Sequence, residues 1–210
     1  MQLIAHRGLT SKNIKENTIE AFTNALNNGY SGIELDIRIT KDKQIVVIHD
    51  KMINRTSNGK GNINNITYKE LLKYNFGSKK IKSKIPLLKD VIKKINNSII
   101  IIELKEKIEK KDLEKILSKN TTNEYYLCSF NKTFIDNIKD IKYKKGIINN
   151  IFNSYVDIRN YDFILILETL FKEDIYNNLN KKNIEPIIYN IHNNLNIKNK
   201  DLINKLKYII

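Results

Sequence analysis

The run "IIII" at residues 99–102 has no polar face. A strand that is apolar on both sides must be covered on both sides, which a parallel sheet layered with helices provides. That demand is repeated along the chain. Short apolar, β-branched runs recur as "QLIAH" (2–6), "GIELDI" (32–37), "QIVVIH" (44–49), "SIIIIEL" (98–104), "EYYLCSF" (124–130), "GIINNI" (146–151), "DFILIL" (162–167), "EPIIYNI" (185–191) and "KYII" (207–210). Stretches with helical spacing lie between them. In "NTIEAFTNALNNG" (17–29), Ile19, Phe22, Ala25 and Leu26 fall on one face and Gly29 supplies a stop. "PLLKDVIKKI" (86–95) begins with a proline suited to the first helical turn.

Alternating strands and helices imply an α/β chain with a parallel sheet. If "QIVVIH" is a hairpin arm on the strand before it, eight strands remain, the number that closes a (β/α)8 TIM barrel. A doubly wound open sheet is the alternative, but no glycine-rich phosphate loop follows the first strand. Residues 50–85 break the rhythm: they carry turn signals such as Asn58-Gly59 and one short helical pattern around "YKELLKY". The expected organisation is a single barrel domain over 1–210 with a small inserted subdomain at 50–85, after the second strand unit.

Hydrophobic residues make up 41% of the 210, enough for one sizeable core. The net charge of +14 invites a nucleic-acid reading, but lysine and asparagine are spread from end to end. No nucleic-acid partner is expected. Cys128, the single cysteine, excludes an intramolecular disulfide and fits a reducing compartment; within "YYLCSF" it reads as a buried, inert thiol. No signal-peptide pattern and no run of about 20 apolar residues is seen. A cytoplasmic protein without a transmembrane segment is expected, and a homo-oligomer is left open.

Two pairs of charged residues stand two apart on strands, so each pair shares a face. Glu34 and Asp36 lie in "ELDI", and Glu103 and Lys105 end "IIIIELK". Three neighbouring carboxylates are costly to bury unless a cation compensates them, and oxygen ligands suit a hard divalent ion. Mg2+ or Ca2+ fits, with Mn2+ as a further option. Each pair lies at the C-terminal end of its run, where barrel active sites are built. Of three histidines, His6 and His49 sit on such strand ends. A histidine pair suits phosphodiester cleavage, one taking a proton and the other giving one. Arg7 as a fork and Lys105 as a point charge suit a phosphate.

With these residues the chain resembles the glycerophosphodiester phosphodiesterase family. The resemblance is carried by "AHRG" (5–8), "ENT" (16–18) followed by "AF", "ELDI" (34–37), "VVIHD" (46–50) and "RTSNGKGNI" (55–63). It continues through "IPLL" (85–88), "IELK" (102–105) and "SF" (129–130). It implies a TIM barrel with a small insertion, and hydrolysis of a small-molecule glycerophosphodiester to sn-glycerol 3-phosphate and an alcohol. By resemblance, Glu34, Asp36 and Glu103 bind the divalent cation, His6 and His49 are general base and acid, and Arg7 and Lys105 contact the phosphate. The attacking oxygen, water or the substrate's 2-hydroxyl, is open at this stage, as are the head group and the choice of metal.

Departures lie mostly in the C-terminal half. "YNIHN" stands where the family has "WTVN", which puts Tyr189 at a position expected to line the glycerol pocket; His192 beside it reads as a surface or loop residue. The sequence ends at "KYII", where the family continues through a "TD-Pro" segment into a last helix, so the final strand is expected to lack its covering helix. Lys15 replaces a proline and Lys43 a glycine, both expected to be turn changes of small consequence. Two other readings compete. A sphingomyelinase D type of phospholipase shares the histidines but carries a disulfide that this chain lacks. A catalytically degenerate barrel would be a binding module, though it has no reason to keep so many costly polar groups.

Overall fold

The computed structural model describes residues 1–149, 158–189, 202 and 204–210. The strands are β1 (Gln2–Ala5), β2 (Gly32–Ile39), β3 (Ile45–Val47), β4 (Ile99–Leu104), β5 (Glu124–Ser129), β6 (Lys144–Asn149), β7 (Phe163–Leu167), β8 (Glu185–Tyr189) and β9 (Tyr208–Ile209). The helices are α1 (Ile19–Asn27), α2 (Tyr68–Leu71), α3 (Leu88–Lys94), α4 (Lys110–Leu117), α5 (Lys132–Asp136) and α6 (Glu173–Lys181). The sheet runs β1-β9-β8-β7-β6-β5-β4-β2-β3, and β1 also pairs with β2. β3 is antiparallel to β2 and stands outside the ring. The eight remaining strands close a parallel barrel, as the hairpin-arm count implies.

Strand alternation divides the core into two layers. Outward residues such as Ile100, Ile102 and Leu104 of β4 pack with Phe22, Val91 and Leu113 of the helices. Inward residues such as Ile99, Ile101 and Cys128 fill the barrel. There Tyr126 meets Phe163 and Tyr208 edge-on, with centroids 5.0 and 5.5 Å apart. Helix α1 begins at Thr18, whose side chain accepts from the Ala21 N–H. It buries Ala21, Phe22 and Ala25, with Ile19 and Leu26 at the margin of the same stripe.

Two local expectations are corrected. Pro86 lies two residues before α3 rather than in its first turn. Its carbonyl accepts from the Val47 N–H, and Leu87 bridges Val46, so this stretch runs alongside β3 before the helix can begin. Lys43 sits at φ +62°, a left-handed conformation that favours glycine, so its replacement of glycine carries a real strain. Within 50–85, Ile53, Ile63, Leu71 and Phe76 form a separate small core against Val46 and Ile48. A capping box between Thr67 and Glu70 starts α2 there. Among the described residues no helix is long and apolar enough to cross a membrane.

Candidate metal and phosphate site

Closure of the ring carries the charged strand ends to one mouth. Glu34 and Asp36 point inward from β2, and Asp36 is in register with Glu103 of β4. Carboxylate oxygens of all three lie within 4.8 Å of one another. The three residues are 3%, 0% and 6% exposed, so little solvent offsets their mutual repulsion. Burial first, then Asp36 and Glu103, pushes Glu34 well above the usual carboxylate range. Burial likewise pushes Glu103 up to about 7, against the opposing pull of Lys105. For Asp36 burial also acts upward, but Lys105 and Arg7 outweigh it and hold the group below its ordinary value.

The cations converge on Asp36. Lys105 Nζ stands 3.1 Å from its Oδ1 and 2.5 Å from Glu103 Oε1. Arg7 Nε is 3.2 Å from Asp36 Oδ2, and Asn17 Nδ2 donates to that same oxygen at 2.8 Å. The fully buried Asp36 Oδ1 has the Lys105 ammonium as its partner. Three buried carboxylates clustered this closely are the donor set a hard divalent cation takes, so the residues fit such an ion.

The turn after β1 explains "AHRG". Arg7 has φ +55° and Gly8 φ +80°, and the Gly8 N–H donates back to Ala5 O at 3.0 Å. A Cβ on Gly8 would stand 2.7 Å from the Ala21 backbone, so only glycine admits α1 so close. The strained turn aims the Arg7 N–H at Glu34 Oε2, 3.0 Å away. His6 Nε2 is 3.9 Å from the same oxygen. Burial first, then Arg7, lowers His6 to about 4. Burial is also the main cause lowering His49, whose Nδ1 is 2.7 Å from Asp50 Oδ1. Asp50 is held below its usual range, first by its bond from Arg55, so it stays ionised and His49 Nδ1 carries the proton.

Arg55, from the 50–85 segment, ties the mouth together. Its Nε donates to Asp50 Oδ2 at 2.6 Å, and its terminal nitrogens donate to both oxygens of Glu16 at 2.8 Å. Glu16 in turn accepts from Arg7 at 3.2 Å. Tyr189, at the end of β8, donates its hydroxyl to Asn149 O at 3.2 Å. Burial, then the Glu103 charge, pushes that phenol up to about 12.

The mouth thus gathers His6, Arg7, Glu34, Asp36, His49, Glu103 and Lys105, with Tyr189 within electrostatic reach of Glu103. His192 lies outside the described residues. Cys128 is buried, 3.7 Å from Ile102 O, and burial raises its thiol, in keeping with an inert side chain. Glu16, Asn17, Arg38, Asp50 and Arg55 are the residues that sequence reasoning did not assign. Glu16, Asn17, Asp50 and Arg55 sit within quoted motifs, and Arg38 continues the two-residue spacing of Glu34 and Asp36.

Residues 6–169 match the Glycerophosphoryl diester phosphodiesterase family. A glycerophosphodiester phosphodiesterase of Caldanaerobacter subterraneus subsp. tengcongensis is 37% identical over 149 residues, covering 65% of this chain and 61% of that protein. The match therefore spans less than two thirds of that relative's length. The structure of an Oleispira antarctica phosphodiesterase in complex with the product sn-glycerol-3-phosphate shares the fold. Its TM-score is 0.88 at 22% identity, over 100% of this chain and 92% of that one. A glycerophosphodiester phosphodiesterase structure from Thermotoga maritima gives a TM-score of 0.79 at 25% identity, over 100% and 93% of the two chains.

Proposed function

The chain belongs to the glycerophosphoryl diester phosphodiesterase family, and on that premise we propose that it hydrolyses glycerophosphodiesters to sn-glycerol 3-phosphate and an alcohol. The observation that carries this reading is the buried Glu34–Asp36–Glu103 cluster flanked by His6, His49, Arg7 and Lys105. Glu34, Asp36 and Glu103 would hold a divalent cation, Mg2+, Ca2+ or Mn2+. When bound, it would offset the charge that builds on the phosphate.

Arg7 and Lys105, now turned onto carboxylates, would pair with the phosphate oxygens. His6, lowered to about 4, is neutral near pH 7 and would accept the proton of the attacking oxygen. His49, in its imidazolium form with Nδ1–H held by Asp50, would give the proton of its other ring nitrogen to the departing alcohol and be left neutral; the bond to Asp50 favours that charged form against burial. Tyr189 would face the glycerol end. Residues 50–85, with their own small core, would act as an inserted subdomain of one domain spanning 1–210. A cytoplasmic setting belongs to the same reading, supported by the lone, buried Cys128.

The test is release of glycerol 3-phosphate from glycerophosphocholine and glycerophosphoethanolamine, with added Mg2+, Ca2+ or chelator. Glu34→Ala and His6→Ala are assayed alongside. Release that needs the ion and is lost in both folded variants supports the assignment. Near-normal turnover in either variant sinks it.

A further inference from the structure

We propose that Arg38 reads the leaving alcohol and selects diesters whose head group carries a negative charge; this rests on the glycerophosphodiesterase reading above. Alternation along β2 puts Gly32, Glu34, Asp36 and Arg38 on one face, the first three buried and Arg38 only partly so. Arg38 is therefore the next rung outward from the metal-binding cluster. It stands level with Lys105, whose N–H donates to Ile37 O at 3.2 Å.

Arg38 donates its Nε to His49 O at 2.8 Å, which anchors the plane of the guanidinium at the mouth. Among the described residues its terminal nitrogens make no hydrogen bond or ion pair. The acidic groups whose field it feels are Glu106 first, then Asp36, Asp50 and Glu103. Each is already engaged. Glu106 accepts from Ile39 N and Asn64 Nδ2, Asp50 from Arg55, and Asp36 and Glu103 lie against Lys105. A two-pronged donor is thus left over beside the mouth, anchored on His49.

Donor geometry and position agree on what it would meet. With a divalent ion bound, the three carboxylates, Arg7 and Lys105 leave one positive charge, which the diester's own negative charge cancels. Beside that balanced set Arg38, whose charge faces that of Glu106, still has both terminal nitrogens free to donate. Tyr189, assigned to the glycerol end, lies on β8, three strands from β2 around the ring by way of β1 and β9. The other end of a diester held between them points to the side of His49 and Arg38. A carboxylate on the alcohol would take both free guanidinium nitrogens, and a trimethylammonium would be repelled.

The experiment compares kcat/KM for glycerophosphoserine, glycerophosphoglycerol and glycerophosphocholine in the unaltered protein and in Arg38→Gln. The expected result is a selective loss of roughly 10- to 100-fold on glycerophosphoserine relative to glycerophosphocholine, the size of a lost charge-assisted hydrogen bond. Equal loss on all three substrates would make Arg38 a phosphate contact or a prop for His49 and overturn the proposal, as would an unmoved ratio. Should the glutamine variant not fold, Arg38→Lys keeps the charge without the fork and is expected to lower the same ratio part-way. No release from any of the three by the unaltered protein overturns the proposed reaction, and the role of Arg38 with it.

Discussion

Asp36 and Glu103 are direct neighbours in the β2–β4 register, so two carboxylates face each other at the top of a barrel that excludes water. Like charges so placed destabilise a sheet, and Lys105 offsets them only in part. Without a cation this arrangement costs stability, as a site of the proposed kind would.

That cost is measurable through Glu103. Its folded pKa of about 7 lies above the unfolded value of 4.5, so its stabilising contribution is complete below about pH 4.5 and is lost as pH rises through 7. In chelator, Glu103→Gln should melt with the unaltered protein at about pH 5 and above it at about pH 8. The gap should be on the order of 3 kcal/mol for a shift from 4.5 to about 7. Added Mg2+ or Ca2+ should reverse the ranking, because only the full carboxylate set gains from the ion. A pH-independent difference between the two proteins, with or without ion, would count against the cluster as a metal site.

Arg55 links Glu16 to Asp50 and so steadies both Arg7 and His49. Being half exposed, its pairs add at most about 1 kcal/mol of stability. Their effect on geometry is larger. Arg55→Ala should leave the melting temperature nearly unchanged while kcat falls roughly 10- to 100-fold, as for a displaced catalytic group. Arg55→Lys should recover part of the rate. Parallel loss of stability and activity would reduce Arg55 to a structural residue.

At Lys43 the left-handed backbone costs a side-chain-bearing residue about 1–2 kcal/mol, partly offset by the chain entropy that glycine adds to the unfolded state. Lys43→Gly should therefore stabilise by about 0.5–1 kcal/mol, raising the melting temperature by roughly 1–4 °C. An unchanged or lower midpoint would show that the strain is relieved by the lysine side chain.

Gly32 lies on the inward face of β2 where β4 approaches closely, and a Cβ there would stand 2.1 Å from Ile99 O. The clash is with backbone, which cannot rotate aside. Gly32→Ala should destabilise by about 1–3 kcal/mol or prevent folding outright, read by chemical denaturation. A near-neutral result would mean that the β2–β4 spacing relaxes more readily than a closed barrel allows.

Much of this molecule was determined locally. The apolar runs and the helical stripe of α1 show in the sequence because strand and helix periods act over a few residues, and closure of eight parallel strands follows from their number once β3 is set aside. The pairing of Glu34 with Asp36 on one face is likewise a consequence of two-residue spacing. Register was not local: that Asp36 meets Glu103 across β2 and β4 depends on how two strands separated by residues 50–85 slide against each other. The bond from Arg55 to Glu16, 39 residues away, depends on that segment folding back to the mouth. The strain at Lys43 and the late start of α3 after Pro86 are also tertiary decisions. Composition and periodicity act between near neighbours, whereas the contacts that couple the site form only when the ring closes and distant side chains have no other partner in reach.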